Sequence, residues 1–370
     1  MLMGKIKVPF IDLKLRYQEE KIDLHKAIEK VISKGNLVLT EEVRQLEHDV
    51  ENYTNAKHCI SLNSGTDALM MALWASGIKK GDEIIQPPIS FVATTGATIH
   101  VGAKPVYCDV GKDQLLDVNK IESVITNKTK AIMPVHWAGK MCDMEKIMQI
   151  AKKYKIKVIE DSAQSIGTYY KKKHGGTIGL AGAISCHPLK NLNALGDGGL
   201  LLTNSSKIAK KVRLMRNHGL ESRDNVVLYG VNSRLDSLNA EVIKMRLKKL
   251  ANIIKRRRKN AKLYEKLIRR EEIKFIKTPH DRKDGFVMFI VLAKKRDSLQ
   301  KYLSSQGIES IIYYGTPLHL HKAARNLGYK KGDFPVAENQ CREVLALPHH
   351  QHLTEEQIFY VANKINKFYD

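Results

Sequence analysis

The residue with the clearest potential for covalent chemistry is a single lysine. Lys190 lies within residues 185–199, a segment rich in glycine and other small residues. Removing a lysine side chain from water lowers its pKa, and the neutral amine is then a nucleophile. The segment therefore predicts a reactive amine at position 190, with an ordinary surface loop as the alternative.

Two other segments follow predicted strands and place polar groups at the strand ends. Residues 158–164 run from an apolar strand into Asp161, and Ser64-Gly65-Thr66 opens an apolar helix. Open α/β sheets bind ligands at the carboxyl ends of their strands, and the free N–H groups of a helix start attract phosphate. Each segment is equally well explained as an ordinary helix cap.

A lysine amine, a carboxylate and a phosphate-binding helix start are together what pyridoxal 5'-phosphate (PLP) requires. The lysine forms a Schiff base, the carboxylate keeps the pyridine nitrogen protonated, and the helix start takes the phosphate.

The two common nucleotide fingerprints, G-x-x-x-x-G-K-[ST] and G-x-G-x-x-G, are absent from the sequence. His349, His350 and His352 predict a loop rather than a metal site, because no cysteine or carboxylate lies beside them.

The elements that must position these groups follow from the hydrophobic pattern. Short β-rich runs alternate with helical stretches from about residue 57 onward, which predicts a mostly parallel sheet covered on both faces. A basic amphipathic helix around residues 238–271 leads into a second part, with a strand predicted at 285–291 and helices at 298–306 and 355–368. We therefore expect a large α/β domain over residues 1–250 and a small α+β domain over residues 251–370.

The composition excludes several classes of protein. The chain has 370 residues, of which 43% are hydrophobic and 27% charged, as in an ordinary globular protein. No stretch approaches the roughly 18 apolar residues of a membrane helix, and residues 1–7 lack the apolar region of a secretory signal. Five scattered cysteines without a C-x-x-C pair are typical of reduced thiols. We expect a cytoplasmic protein with no membrane contact and no bound metal.

The charge balance raises the question of nucleic acid. There are 62 Lys and Arg residues against 39 Asp and Glu, a net charge of +23. The densest basic run, 248–259, has apolar residues at helical spacing, which favours a helix with a solvated basic face. No recognition motif accompanies the charge. We therefore expect no nucleic-acid partner, and a regulatory nucleic-acid-binding protein remains the alternative.

Ordered motifs along nearly the whole chain resemble those of a known family. They are Val8-Pro9-Phe10-Ile11-Asp12-Leu13, residues 64–69, 90–94, 160–164, the Lys190 segment, 216–219, 232–236 and Pro317-Leu318-His319. In this order they resemble the sugar aminotransferases of the DegT/DnrJ/EryC1/StrS group. The resemblance implies a fold type I PLP-dependent transferase, similar to aspartate aminotransferase.

The resemblance also implies roles for individual residues. Lys190 matches the Schiff-base lysine and Asp161 the partner of the pyridine nitrogen. The other implied cofactor contacts are Gln164 near the ring hydroxyl, Phe91 on the ring, Gly65, Thr66 and Ser185 at the phosphate, and Asn232 at the phosphate of the other subunit's cofactor. The family handles substrate near the positions of His218 and His319.

The implied activity is transfer of an amino group from glutamate to a nucleotide-linked keto-sugar. The Lys190 segment is most similar to members acting on dTDP-3-keto-6-deoxyhexoses, which supply amino-deoxysugars for surface polysaccharides or glycoconjugates. Two alternatives stay open: amination at C4 of a UDP-, GDP- or dTDP-4-keto-6-deoxysugar, and a PLP-dependent sugar dehydratase of the same fold. Dehydratases of this family replace the lysine by histidine, so Lys190 favours transamination. The family also implies a homodimer with shared active sites.

Overall fold

The computed structural model describes residues 7–370. Residues 1–6, which belong to the stretch interpreted above as lacking a secretory signal, lie outside this range. Within it the strands are, in chain order, His58–Leu62 (β1), Glu83–Gln86 (β2), Lys104–Tyr107 (β3), Thr129–Ile132 (β4), Lys157–Asp161 (β5), Tyr169–Tyr170 (β6), Lys173–His174 (β7), Ala181–Ser185 (β8), Gly199–Thr203 (β9), Leu220–Ser222 (β10), Asn225–Val226 (β11), Ile273–Phe275 (β12), Arg282–Lys283 (β13), Phe289–Ala293 (β14) and Val344–Leu347 (β15).

The α-helices pack against these strands. In chain order they are Leu13–Ile32 (α1), Glu41–Thr54 (α2), Gly65–Ala75 (α3), Val92–His100 (α4), Met144–Tyr154 (α5), Ser206–Met215 (α6), Ser237–Leu247 (α7), Leu250–Leu267 (α8), Arg296–Ser305 (α9), Pro335–Glu343 (α10) and Glu355–Phe368 (α11).

A seven-stranded sheet forms the centre of the molecule. Its order is β1-β9-β8-β5-β4-β2-β3, and β9 runs antiparallel to both of its neighbours while the other pairs are parallel. The strands are apolar and almost continuously buried, as expected for a sheet covered by helices on both faces. The predicted mostly parallel α/β sheet is confirmed.

The register of this sheet brings the predicted ligand segments to one edge. Asp161 ends β5, which runs parallel to β8, and Ser185 ends β8. Leu62 and Ser185 both pair with Gly199 of β9, so the carboxyl end of β1 lies at the same edge. Residues 64–66 follow β1 directly. Long-range pairing thus collects three segments that are far apart in sequence.

A second, antiparallel sheet of order β12-β14-β15 lies in the carboxyl-terminal part. Its core includes Tyr264, Phe289 and Ile358, and Val8 packs into the same core and pairs with Ile308. The start of the described chain therefore lies against the carboxyl-terminal part, although the predicted large domain counts it with residues 1–250. The division at residue 250 stays a prediction.

Two predicted elements differ from the structure. The strand predicted at 285–291 begins only at Phe289. This is because Phe286 has a φ of 48° and the Gly285 N–H bonds to the Gly139 carbonyl rather than to a neighbouring strand. The basic helix is two helices, α7 and α8, separated at Lys248 and Lys249. On α8 the predicted buried stripe is present, but Arg257 is buried with it. One charge of the basic run is therefore not solvated.

Candidate active site

One cavity of about 290 Å³ at the carboxyl edge of the sheet collects most of the predicted site residues. Seven of the eight predicted cofactor residues line it: Gly65, Thr66, Phe91, Asp161, Gln164, Ser185 and Lys190. They come from the ends of β5 and β8, the starts of α3 and α4, and the loops after β5 and β8. The fold thus brings these seven residues into one cavity, and their roles at the cofactor stay predictions.

Lys190 lies in the loop after β8, where local hydrogen bonds fix its backbone. Its N–H donates to the His187 carbonyl at 2.9 Å, and the Asn193 side-chain amide donates to the Lys190 carbonyl at 2.9 Å. Burial lowers the pKa of the Lys190 ammonium to about 8, and the negative charge of Asp161 opposes this shift. A substantial fraction of the amine is therefore neutral near physiological pH.

Asp161 is a buried carboxylate held by two donors. Thr94 donates from its hydroxyl to Oδ2 at 2.6 Å, and the Ala163 N–H donates to Oδ1 at 3.2 Å. The Thr94 hydroxyl in turn lies 2.5 Å from the Ser90 hydroxyl. Burial raises the pKa of Asp161, while the Thr94 hydrogen bond lowers it. Ser90 and Thr94 were part of a recognised motif, but the sequence did not indicate that they position Asp161.

The strand end that carries Asp161 is anchored by neighbouring groups. Glu160 is fully buried, accepts a hydrogen bond from Gly176 N–H at 2.9 Å and lies 2.8 Å from the His136 Nε2. Gln164 accepts the Ala138 N–H at 2.7 Å through Oε1. These contacts fix the loop after β5, so Asp161 and Gln164 are presented to the cavity by a rigid support.

The start of α3 forms a cradle beside the end of β8. Ser64 is the N-cap and accepts the Asp67 N–H at 3.0 Å. Gly65 and Thr66 lie in the first turn, whose N–H groups have no acceptor within the helix. A Cβ on Gly65 would lie 2.8 Å from the Ser185 Cβ, so only glycine permits this approach. The result is an anion site made of helix N–H groups and a serine.

These residues fit PLP in its three functional parts. The α3 cradle and Ser185 would hold the phosphate, Asp161 would contact the pyridine nitrogen, and Lys190 would react with the aldehyde carbon. The buried, already oriented carboxylate and the glycine-limited cradle are the observations that carry this fit.

The carboxyl-terminal part supplies cavity residues that the sequence did not assign. Tyr313, Tyr314, Arg257, His349 and His350 also line the cavity. Phe91, which is 52% exposed, lies 6.1 Å from Tyr314 between ring centroids. The sequence shows the three histidines as a cluster, but it does not show that His349 and His350 line the same cavity as Lys190.

Three predicted residues lie outside this cavity. Asn232 is exposed in a neighbouring recess with Leu37 and Val38, and its Oδ1 accepts the Arg234 Nε–H at 2.9 Å. His218 is exposed near the end of α6. His319 is buried against Phe334, with its Nε2 3.1 Å from Glu338. The substrate roles of His218 and His319 stay predictions, and the position of Asn232 is compatible with a contact to another subunit.

Over residues 7–370, no group of three or more His, Cys, Asp or Glu side chains is arranged to hold a metal ion. Nor is any helix of this range long and apolar enough to cross a membrane.

Comparisons with known proteins agree with this geometry. Residues 18–366 match the DegT/DnrJ/EryC1/StrS aminotransferase family. The chain is 37% identical to a dTDP-3-amino-3,6-dideoxy-alpha-D-galactopyranose transaminase of Aneurinibacillus thermoaerophilus, covering 98% of this chain and 99% of the relative. It is 39% identical to a protein of Geobacillus stearothermophilus named pleiotropic regulatory protein, with coverage of 98% and 99%.

A solved structure gives the same result for the fold. The structure of DesV of S. venezuelae in complex with a ketimine intermediate superposes with a TM-score of 0.96 at 33% identity, covering 99% of both chains. Fold type I and the PLP cofactor are thereby confirmed. The chain belongs to the DegT/DnrJ/EryC1/StrS aminotransferase family and is a PLP-dependent sugar aminotransferase.

Proposed function

We propose that this enzyme transfers the amino group of glutamate to C3 of a dTDP-linked 3-keto-6-deoxyhexose. The observation that carries the transamination is the position of Lys190, an amine of lowered pKa in the same cavity as the buried Asp161. The sugar is supported by the name of the Aneurinibacillus relative, a dTDP-3-amino-sugar transaminase. The product would serve a surface polysaccharide or glycoconjugate.

The side chains divide the work between binding and proton transfer. Gly65, Thr66 and Ser185 bind the cofactor phosphate, and Asp161 holds a proton at the pyridine nitrogen. When bound, PLP supplies an electron sink for the carbon that carries the amino group. Lys190 Nζ would accept the proton from that carbon and return it to the cofactor carbon on the other side of the amino nitrogen, which its lowered pKa permits near neutral pH.

Three further residues adjust this arrangement. Thr94 fixes the orientation of the Asp161 carboxylate through its 2.6 Å hydrogen bond. Gln164, held by the Ala138 N–H, binds the ring hydroxyl, and Phe91 packs against the ring. His218 and His319 are proposed to act on substrate by family resemblance alone.

The functional unit is proposed to be a homodimer with shared sites. Asn232 lies outside the cavity of its own chain, in a recess with the exposed side chains of Leu37 and Val38. Tyr229, three positions earlier in the sequence, is 98% exposed. Exposed apolar patches of this kind are typical of protein interfaces. In the dimer, Asn232 would reach the phosphate site of the other subunit. All five cysteines are free thiols, which supports a cytoplasmic location.

The C4 aminotransferase and the sugar dehydratase remain the competing activities. The Geobacillus relative carries the name of a regulatory protein, so nucleic-acid binding is a further role to test. The exposed basic face of α8 would be the binding surface. A DNA-binding measurement at physiological salt decides that role, since purely electrostatic binding weakens steeply with salt.

The decisive experiment uses the purified enzyme with a panel of dTDP-, UDP- and GDP-linked keto-sugars. We expect a yellow protein in which borohydride fixes the cofactor on Lys190, and glutamate-dependent formation of a 3-amino product from the dTDP-linked 3-keto-sugar. Lys190→Ala is the matched control and should lose turnover by about three orders of magnitude or more. A reduced adduct on another lysine contradicts the site, whereas a 4-amino or deoxygenated product contradicts the reaction.

A further inference from the structure

A buried arginine without an acidic partner lies in the wall of the Lys190 cavity. Arg257 of α8 is 2% exposed and lines the cavity together with Lys190. Its guanidinium donates to the carbonyls of Phe286 at 3.1 Å and Val287 at 2.9 Å, and to Gln351 Oε1 at 3.1 and 3.3 Å. No carboxylate among residues 7–370 forms an ion pair with it.

The burial of this charge is only partly compensated. A guanidinium has five N–H donors, and the contacts of Arg257 use four of them, which leaves one Nη2 N–H free. Burial, followed by the charge of Arg16, lowers the pKa of Arg257 to about 9. A buried cation is costly unless an anion or several dipoles compensate it. Within the described chain, neutral carbonyl oxygens are the groups that compensate the charge of Arg257.

The histidines beside Arg257 also have unused polar atoms. His349 and His350 are each 3% exposed, and both line the cavity. His349 Nδ1 and both ring nitrogens of His350 have no hydrogen-bond partner among the described residues. Burial lowers the pKa of His349 to about 3 and that of His350 to about 4, so both rings are neutral. The His349 Nε2 lies 2.7 Å from the Arg257 backbone carbonyl and donates the N–H of that ring to it, so His350 is the ring with a free N–H donor.

The enclosure of this wall limits the anion that it would bind. The cofactor phosphate has its own site at Gly65 and Ser185, formed by elements of the large sheet. A nucleoside diphosphate is a long ligand that must extend toward solvent. The polar atoms of this wall are almost completely buried, so they do not suit such a ligand. A carboxylate is small and planar, and one of its oxygens can accept the free Nη2 N–H of Arg257 in a charge-assisted hydrogen bond. The amino donor of a transaminase brings such a carboxylate into this cavity.

We propose that Arg257, with His350 beside it, binds a carboxylate of the amino-acid donor. The proposal rests on the proposed function, since it takes glutamate as the donor. The donor carboxylate supplies the counter-ion that Arg257 lacks, and the His350 N–H completes its hydrogen bonds. Arg257 thereby selects an anionic donor, whereas the nucleotide-sugar binds without its help.

A purely structural role for Arg257 makes a different prediction. Its bonds to Phe286, Val287 and Gln351 also connect α8 to the two segments that form the cavity wall. If this were its only role, loss of Arg257 would lower thermal stability and affect donor and nucleotide binding equally.

The test uses the PLP-loaded enzyme and two binding measurements that need no sugar acceptor. Calorimetry gives the Kd of glutarate, a dicarboxylate without an amino group, and of dTDP. Stopped-flow absorbance gives the dependence of cofactor amination on glutamate concentration. For Arg257→Gln we expect the glutarate Kd and the half-saturating glutamate concentration to rise by about tenfold or more, with the dTDP Kd within about twofold of the wild-type value.

Arg258→Gln is the matched control. Arg258 is the neighbouring arginine, but it donates to the carbonyls of Asp284 and Gly167 and does not line the cavity. We expect its glutarate and dTDP affinities to stay within about twofold of wild type. An Arg257→Gln enzyme that binds glutarate normally, or loses glutarate and dTDP to the same extent, overturns the proposal.

A second variant decides the case in which Arg257→Gln does not fold. His350→Leu removes ring nitrogens that have no partner in the described chain, so its melting temperature should not fall. We expect its glutarate Kd to rise by about threefold or more, and an unchanged Kd then overturns the proposal.

If wild type binds glutarate through Arg257 but glutamate does not aminate the cofactor, the donor in the proposed function is wrong and the carboxylate site stands. If no keto-sugar is aminated, only the acceptor is wrong.

Discussion

At the scale of single residues, the site depends on two buried ionisable groups of opposite type. Removal from water favours the neutral form of each, so it lowers the pKa of the Lys190 ammonium and raises that of the Asp161 carboxyl. Their mutual attraction opposes both shifts. Thr94 adds a hydrogen bond that favours the ionised carboxylate. The balance leaves an amine that is partly neutral near physiological pH in the same cavity as a carboxyl group that can hold a charged partner.

The lowered pKa of Lys190 predicts how its reactivity depends on pH. In the cofactor-free protein, competitive labelling with acetic anhydride and peptide mass spectrometry should show the Lys190 amine becoming reactive with a midpoint near pH 8. The ordinary lysine value is about 10.4. Below the midpoint the amine is protonated and unreactive, and above it the amine is neutral.

Asp161→Asn provides the control for this titration. The Asp161 charge raises the pKa of Lys190, so its removal should move the labelling curve to lower pH. A wild-type midpoint near 10.4, or an upward shift in the variant, contradicts the assignment of burial as the cause.

At the scale of elements, the site depends on how closely α3 approaches β8. The helix starts directly after β1, and its first turn lies against the end of β8 at Ser185. Sequence could identify the helix start, because Ser64 is a favourable N-cap and small residues follow it. It could not identify the facing strand, since β8 lies more than 100 residues further along the chain.

A methyl group at Gly65 should separate these two elements. In Gly65→Ala the new Cβ would lie 2.8 Å from the Ser185 Cβ and 3.1 Å from its Cα, so β8 or α3 must move. We expect a loss of stability of about 1–3 kcal/mol and a PLP Kd raised by at least about tenfold, because phosphate binding depends on this approach. Thermal unfolding of the cofactor-free protein and absorbance titration with PLP measure the two effects.

Gly96→Ala is the matched control for this change. A Cβ on Gly96, within α4, meets nothing closer than a His100 ring nitrogen at 3.9 Å. Alanine has a higher helix propensity than glycine by about 1 kcal/mol, so this variant should be as stable as wild type or more stable. If Gly65→Ala matched Gly96→Ala in PLP affinity, the α3 cradle would not be the phosphate site.

At the scale of the whole molecule, the cavity of one chain lacks Asn232, the residue proposed to come from a second chain. Asn232 is exposed and lies in a separate recess from the cavity of its own chain. If the dimer shares its sites, Lys190→Ala and Asn232→Asp should each be nearly inactive alone. Unfolding and remixing equal amounts should restore about a quarter of wild-type activity, because half of the dimers are mixed and each has one intact site.

Mixing Lys190→Ala with a chain that carries both changes is the control, since no intact site can form in that mixture. A tagged-chain pull-down shows whether mixed dimers assemble. Mixed dimers that assemble and stay inactive contradict the shared site.

The sequence by itself determined the elements and the most reactive groups. Alternating hydrophobic patterns predicted the α/β sheet, and Lys190, Asp161 and the α3 start were identified because their local surroundings carry the signal. The tertiary structure decided which other residues meet them. Thr94 reaches Asp161 across 67 positions of sequence, and Arg257 and His350 join the same cavity from the carboxyl-terminal part. Local patterns encode periodicity and caps, but the edge of a sheet at which segments meet is fixed by long-range strand pairing and packing.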